Sequence, residues 1–176
     1  MYAKSKINTS IEKSLGKLLA IQSKQLNSFM HSQAMRIFEW DPSNIIWVKK
    51  FLSLFSGFKK DVITETIKQH ELFVQKNKKN LKHSVTHGDP NDYNIVVKNE
   101  KIVGLIDFGD SIYAPSINDL AIALSYSLTQ TQNLFDTLNN IVGSYNKIYP
   151  INDDEIYSLF SLIKSRLVIT RSEEHT

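Results

Sequence analysis

The chain has 176 residues, 41% hydrophobic and 22% charged, a net charge of +3 and no cysteine. This length suits one globular domain, and the ordinary apolar fraction excludes a disordered chain. The missing thiol excludes disulfides, thiolate metal sites and a cysteine nucleophile, and it fits a cytoplasmic protein; no apolar run reaches the length of a membrane span, and the basic start Met1–Lys6 lacks the apolar core of a secretory signal.

In chain order, Thr9-x-x-Glu12 reads as a capping box opening a helix with Ile11, Leu15, Leu18, Leu19, Gln22 and Leu26 on one stripe. Gly16 weakens that helix slightly and allows close packing. Residues 31–40 read as irregular, with His31 at the surface. Asp41-Pro42 predicts a second helix start, Asp as N-cap and Pro at the first helical position. That helix carries Ile45, Val48, Phe51, Leu52 and Phe55 and stops near Gly57. Asp61 is expected to cap a third helix through Ile63, Ile67, His70, Phe73 and Val74, with His70 a packed rather than catalytic histidine. The lysines up to Lys82 end it. Strand-like runs follow at Ser84–Thr86, Ile95–Val97 and Ile102–Leu105. Lys98-Asn99-Glu100-Lys101 is a tight turn, so the last two runs should pair antiparallel. Gly104 signals a bulge or a close backbone approach. From Asp110 to Asn118 a loop is expected. Asp119 then opens an apolar helix, as a cap or as a brace for the preceding loop. Another helix carries Leu134, Phe135, Leu138, Ile141, Val142 and Tyr145 and breaks at Tyr149-Pro150. The acidic turn Asp153-Asp154-Glu155 starts the last, with Ile156, Leu159, Phe160, Ile163 and Leu167. Residues 171–176 leave the apolar period and can be spelled by a common sequencing adapter; they are read as a non-native tail, and residues 1–170 as the domain.

Two stretches carry chemistry. His87-Gly88-Asp89-Pro90-Asn91-Asp92-Tyr93-Asn94 and Ile106-Asp107-Phe108-Gly109-Asp110 each follow a strand-like run. Asp89 with Asn94 five residues on fits the catalytic-loop pattern H-x-D-x-x-x-x-N, and Asp107-Phe108-Gly109 fits the metal-binding D-F-G. Phosphoryl transfer to a hydroxyl needs a carboxylate near the attacking oxygen, and Asp89 suits that role. It also needs oxygen ligands that hold Mg²⁺ against nucleotide phosphates, and Asn94 and Asp107 suit those. Either motif alone is weak; the two together, in order and joined by a hairpin, are specific. The competing explanation, that both aspartates only end strands and cap turns, accounts for neither the order nor the spacing.

The charge is uneven. Residues 1–86 carry 15 Lys and Arg against 6 Asp and Glu, and residues 87–176 carry 6 against 12. The lysines are scattered, and the tightest group (Lys76, Lys78, Lys79, Lys82) sits at a helix end, where it offsets the dipole. A solvated face is expected there, and no nucleic acid. Asp89, Asp92, Asp107, Asp110 and Asp119 crowd the motifs, and the charge left after Mg²⁺ binds would favour a cationic substrate such as an amine.

On these motifs the chain resembles the aminoglycoside phosphotransferase and choline kinase-like family, relatives of the protein kinases. His-Gly-Asp-x-Asn-Asp-x-Asn followed by Ile-Asp-Phe-Gly-Asp is most similar to the hydroxylysine kinase branch, and the pattern also occurs in kinase-like domains fused to class III aminotransferases. The resemblance covers roughly residues 8–168 and is specific at 83–126. It implies an α+β, mostly helical fold: the C-terminal lobe of a kinase, with a short antiparallel β-hairpin carrying the active site. It implies Asp89 as catalytic base, Asn94 and Asp107 as Mg²⁺ and ATP (or GTP) ligands, His87 as a structural support and Asp110 as a contact for the substrate amine. A complete relative also has an N-terminal lobe with a glycine-rich loop and a Lys–Glu pair; the six glycines here are dispersed. That lobe is expected upstream, and the isolated chain is expected to bind nucleotide weakly without turning over. The alternative is a non-catalytic kinase-like binding module, once fused to an aminotransferase. A metal hydrolase fits less well, because further ligands at metal spacing are missing.

Overall fold

A computed structural model describes residues 8–173, with side chains as far as Thr170. The fold is mostly helical, with two small antiparallel sheets. Helix α1 (Thr9–Leu26) lies against α4 (Leu134–Asn146), and α3 (Asn118–Thr129) and the first half of α5 (Asp153–Glu173) complete the main core. Leu15, Leu19, Leu120, Leu124, Ile141, Tyr145 and Leu162 are buried there. Gly16 sets the α1–α4 spacing: a Cβ at that position would lie 2.1 Å from the Ile141 carbonyl oxygen. The N-cap of α1 is Asn8, not Thr9; the Asn8 side chain accepts a hydrogen bond from the Ile11 amide at 3.0 Å. Glu12 does not reach back to it. Its carboxylate is buried across the helix pair and accepts from Thr137 Oγ1 and Asn140 Nδ2 at 2.6 and 2.7 Å.

A second layer consists of a 3₁₀ helix (Pro42–Leu54), α2 (Gly57–His70) and a π turn (Glu71–Gln75), packed on the C-terminal half of α5. Ile45, Val48, Ile63, Ile67 and Ile169 form its buried centre. Asp41 caps its first helix as expected, accepting from the Ser43 amide at 2.8 Å. That helix stops at Leu54, close to Gly57 as expected, and Gly57 opens α2. The chain reverses there through a φ of +53°, which glycine adopts without strain, so Asp61 lies inside α2 and does not cap it. His70 is fully buried, between Ser165 at 3.2 Å and Gln75 at 3.1 Å. Burial lowers its pKa to about 4. Because α5 contributes Leu162 to one core and Ile169 to the other, it joins the two layers. A reciprocal cap starts it: Asn152 Oδ1 accepts from the Glu155 amide, and Glu155 Oε2 from the Asn152 amide, both at 2.9 Å. It runs to Glu173, three residues into the segment the sequence set apart, and residues 174–176 lie outside the described residues.

Strands β2 (Ile95–Lys98) and β3 (Lys101–Leu105) pair antiparallel as expected. Asn99 and Glu100 both have positive φ, the twist that a two-residue hairpin turn needs. Val96 faces Gly104 and Val97 faces Ile102, which leaves Val103 as the extra residue of a bulge. The segment expected to be loop contains a strand. β4 (Ile112–Pro115) pairs antiparallel with β1 (His83–Thr86), so β1 is not part of the hairpin sheet. Pro115 misled the reading; at the very end of the ladder, opposite His83, its missing N–H does no harm. Among the described residues no helix is long and apolar enough to cross a membrane.

Candidate active site

Both loops that carry the motifs leave the same end of the sheets. The first runs from β1 to β2 and holds His87, Asp89 and Asn94; the second runs from β3 to β4 and holds Asp107 and Asp110. Hairpin pairing brings their bases together: the Ile106 amide donates to the Asn94 carbonyl at 2.9 Å. His87 joins the loops at a second point. Its Nδ1 accepts from the Asp89 amide at 3.2 Å, so Nε2 carries the proton and donates to the Ile106 carbonyl at 2.9 Å. The Phe108 ring packs on the imidazole at 4.5 Å. Gly88 allows the closest approach. Its φ is +88°, and a Cβ there would lie 2.2 Å from the Asp110 carbonyl oxygen.

Asp119 supports this assembly from below. It is fully buried at the start of α3, where it was expected either to cap the helix or to brace the loop, and it braces. Oδ2 accepts from the His87 amide and from Gln22 Nε2, both at 2.8 Å, and Oδ1 from the Gly88 amide at 3.0 Å. Burial pushes its carboxyl above the usual carboxylate range, and the two amides oppose that push. The neighbouring Asn118 donates to Asp41 Oδ1 at 2.7 Å, tying the same helix start to the second layer.

Asp89 is half-buried, and both of its carboxylate oxygens are held. Arg166 Nη2 of α5 donates to Oδ1 at 2.5 Å, and Asn91 Nδ2 to Oδ2 at 2.6 Å. Burial raises the Asp89 pKa, the Arg166 guanidinium works against that rise, and Asp110 adds to it. A carboxyl held nearer neutrality is a better proton acceptor in catalysis than a surface aspartate. Asn94 donates its amide to the Asp89 carbonyl at 2.9 Å, which leaves Oδ1 without a hydrogen bond among the described residues. Asp107 is exposed and sits in the left-handed region (φ +66°, ψ +69°), a turn conformation that Asp tolerates better than most side chains. Its Oδ1 accepts only a long bond from the Gly109 amide, at 3.4 Å. One neutral and one anionic oxygen on adjacent strand ends fit a hard divalent cation that keeps most of its waters. Among the described residues no group of three or more His, Asp or Glu side chains converges as a metal cage. Beside the Asp107–Gly109 turn opens a cleft of about 430 Å³, lined by Phe29, Ala34, Val85 and Phe108 and by Arg36, whose guanidinium donates to the Gly109 carbonyl at 3.0 Å.

A phosphotransferase family model matches residues 18–145, which include both loops and their braces. The chain belongs to the phosphotransferase enzyme family. Among curated proteins it is similar to hydroxylysine kinase of Mus musculus, 25% identical over 166 residues, and of Xenopus laevis, 26% identical over 168 residues. Each alignment takes in 86% of this chain, which spans 44% and 45% of those relatives' lengths. Among solved structures it shares its fold with the amicoumacin kinase hAmiN, solved in complex with AMP-PNP, Ca²⁺ and Ami (TM-score 0.70, 14% identity, 99% of this chain and 54% of that one). It also shares it with the aminoglycoside phosphotransferase APH(3'')-Id of Streptomyces rimosus (TM-score 0.56, 14% identity, 91% and 64%).

All six residues singled out in the sequence (His87, Asp89, Asn94, Asp107, Asp110 and Asp119) thus belong to one loop assembly. Sequence reasoning missed Asn91 and Arg166. The second left a signal: Arg166 stands three and four residues after Ile163 and Leu162, on the core stripe of α5, where a charge requires a partner.

Proposed function

We propose that this chain carries the catalytic loop and cation ligands of an ATP-dependent phosphotransferase, GTP being the other possible donor, acting on a hydroxyl of a small amine-bearing substrate. The reading is supported chiefly by Asp89, Asn94 and Asp107 lying on two loops that His87 and the Ile106–Asn94 bond join, the first of them braced by a buried carboxylate, Asp119. In this reading Asp89 accepts a hydrogen bond from the substrate hydroxyl, orients it and takes its proton as the new oxygen–phosphorus bond forms and the bond from phosphorus to the departing nucleoside diphosphate breaks. Asn94 Oδ1 and the Asp107 carboxylate would hold the divalent cation, Mg²⁺ in this reading. The nucleotide supplies the transferred phosphoryl group and the cation offsets its charge. His87 fixes the spacing of the two loops. Asp110, beside Gly88, and the exposed Asp92 keep the entrance acidic, which favours an ammonium group on the acceptor. Hydroxylysine and aminoglycosides, the substrates named by the relatives, both combine a hydroxyl with an amine.

The rest of the nucleotide site is assigned to an N-terminal lobe upstream of this sequence, and residues 171–176 to a non-native tail. The test is phosphotransfer by the longer protein that carries this chain, against a panel of hydroxylysine, aminoglycosides, choline, ethanolamine and homoserine. One of these should be phosphorylated, and Asp89→Asn should lower its turnover by a factor of about 10²–10⁴. Equal turnover by Asp89→Asn would remove the mechanism. No turnover of any acceptor would favour the non-catalytic module.

A further inference from the structure

Arg166 belongs to no motif, comes from the last helix, and still reaches the centre of the site. We propose that it is the positioning residue of Asp89: it holds the carboxylate in one orientation and couples the catalytic loop to the helical layer. This role rests on the phosphotransferase reading.

The contacts carry the argument. The Arg166 side chain is 1% exposed and that of Asp89 is 18% exposed, so the pair closes the floor of the site rather than decorating its surface. The guanidinium is also held by two further residues, Trp40 and Tyr126. Nη1 donates to the Trp40 carbonyl at 3.0 Å, Nη2 to the Tyr126 hydroxyl at 3.3 Å, and its carbon lies 4.7 Å from the Trp40 ring centroid and 5.8 Å from that of Tyr126. A planar fork stacked in this way has one available plane. Asp89 receives Arg166 on Oδ1 and Asn91 on Oδ2, so its carboxylate cannot turn without losing one of the two bonds.

Stability alone does not account for the arrangement. A buried ion pair commonly contributes no more than an apolar pair of the same volume. Here Arg166 also leaves Nε buried without a hydrogen-bond partner among the described residues, a loss a purely structural site would avoid. What it supplies is geometry. Trp40 directly precedes Asp41, which Asn118 holds, and Asn118 directly precedes the loop brace Asp119. Arg166 therefore connects the loop, the 40–41 segment and α5. Movement of α5 would reach the Asp89 carboxylate through this side chain, while Asp119 holds the loop backbone from α3.

The experiment compares wild type, Arg166→Met and Arg166→Lys in two measurements, with Asp89→Asn alongside. Amide hydrogen exchange on the 176-residue chain should show protection lost at residues 88–94 in Arg166→Met and retained in the α1–α4 core. In the longer, active protein, kcat should fall about 100-fold in Arg166→Met, the scale of a misplaced reacting group, with KM for the acceptor changed less than threefold. Arg166→Lys, which keeps the charge but not the fork, should recover part of kcat. Unchanged exchange at 88–94, protection lost evenly through the core, or an unchanged kcat in Arg166→Met would each overturn the role while wild-type turnover upholds the phosphotransferase reading. Absence of wild-type turnover would overturn both together. If Arg166→Met does not fold, Arg166→Lys carries the same comparison.

Discussion

Gly88→Ala tests whether the two loops really meet at the distance described. The new Cβ would stand 2.2 Å from the Asp110 carbonyl oxygen and 2.9 Å from its carbon, both backbone atoms that cannot rotate away. To reach 3.0 Å, below which real Cβ contacts are essentially never seen, the loops must part by about 0.8 Å. The φ of +88° adds a conformational penalty of about 1–2 kcal/mol, and overpacking adds about 1–3 kcal/mol. The sum is about 3 kcal/mol. With a urea m-value of about 2 kcal/mol/M, the unfolding midpoint should fall by about 1.5 M. Opening also separates Asp89 from Asp107, and an error near 1 Å can lower a rate about 100-fold. Circular dichroism in urea on the chain reads the first effect, and phosphotransfer by the longer protein, per folded molecule, reads the second. A midpoint within about 0.3 M of wild type would refute the close approach. A lowered midpoint with undiminished turnover would refute its catalytic relevance.

Other consequences follow from single contacts. Gly16→Ala should destabilise by about 2 kcal/mol, because overpacking against Ile141 outweighs the roughly 1 kcal/mol gained in helix propensity; Gly143→Ala on the facing helix, with nothing within 4 Å, should stabilise by up to about 1 kcal/mol, and thermal melts of the pair would show opposite shifts. His70, neutral and buried with a pKa lowered to about 4, contributes stability that is complete above its unfolded pKa of 6.5 and is lost as pH falls towards 4. Unfolding measured at pH 7 and pH 5 should differ by about 2 kcal/mol from this group, and His70→Gln should remove that difference. Asp107→Asn should weaken Mn²⁺ binding, read by electron paramagnetic resonance, at least about tenfold, the range seen when a ligand's charge or support is removed; unchanged binding would place the cation elsewhere.

Much of the chemistry is legible along the chain because its parts are local. Asp89 and Asn94 share one loop, Asp107 begins the next, and a four-residue turn with two positive φ residues fixes how the strands between them pair. In the proposed reading the residue types suit the chemistry: a carboxylate for an attacking hydroxyl, and one amide and one carboxylate oxygen for a hard cation. Amphipathic periods placed the helices and part of their buried faces, since burial of Leu15, Leu19, Ile141, Leu159 and Ile163 follows from a 3.6-residue repeat; Leu134, Phe135, Ile156 and Phe160, expected on the same stripes, are exposed, because the period gives a face and the packing of neighbouring helices decides how much of it is covered. Caps were read less well. Asn8 rather than Thr9 and Ser56 rather than Asp61 are the N-cap positions, because several polar residues could serve and the entry angle of the chain selects among them.

Only the tertiary structure decided which distant residues finish the site. Strand β4 exists because β1 lies beside it, and nothing within Ile112–Pro115 names a partner 26 to 32 residues away. Asp119 accepts from the buried His87 and Gly88 amides, and α3 begins at Ile117 without a side-chain cap. Arg166 meets Asp89 across 77 residues of chain, held by Trp40 and Tyr126 from two other segments. Spacing within a sequence encodes contacts made within one loop or one helical face. A buried charge announces only that it needs a partner, and packing of the layers determines which partner it meets.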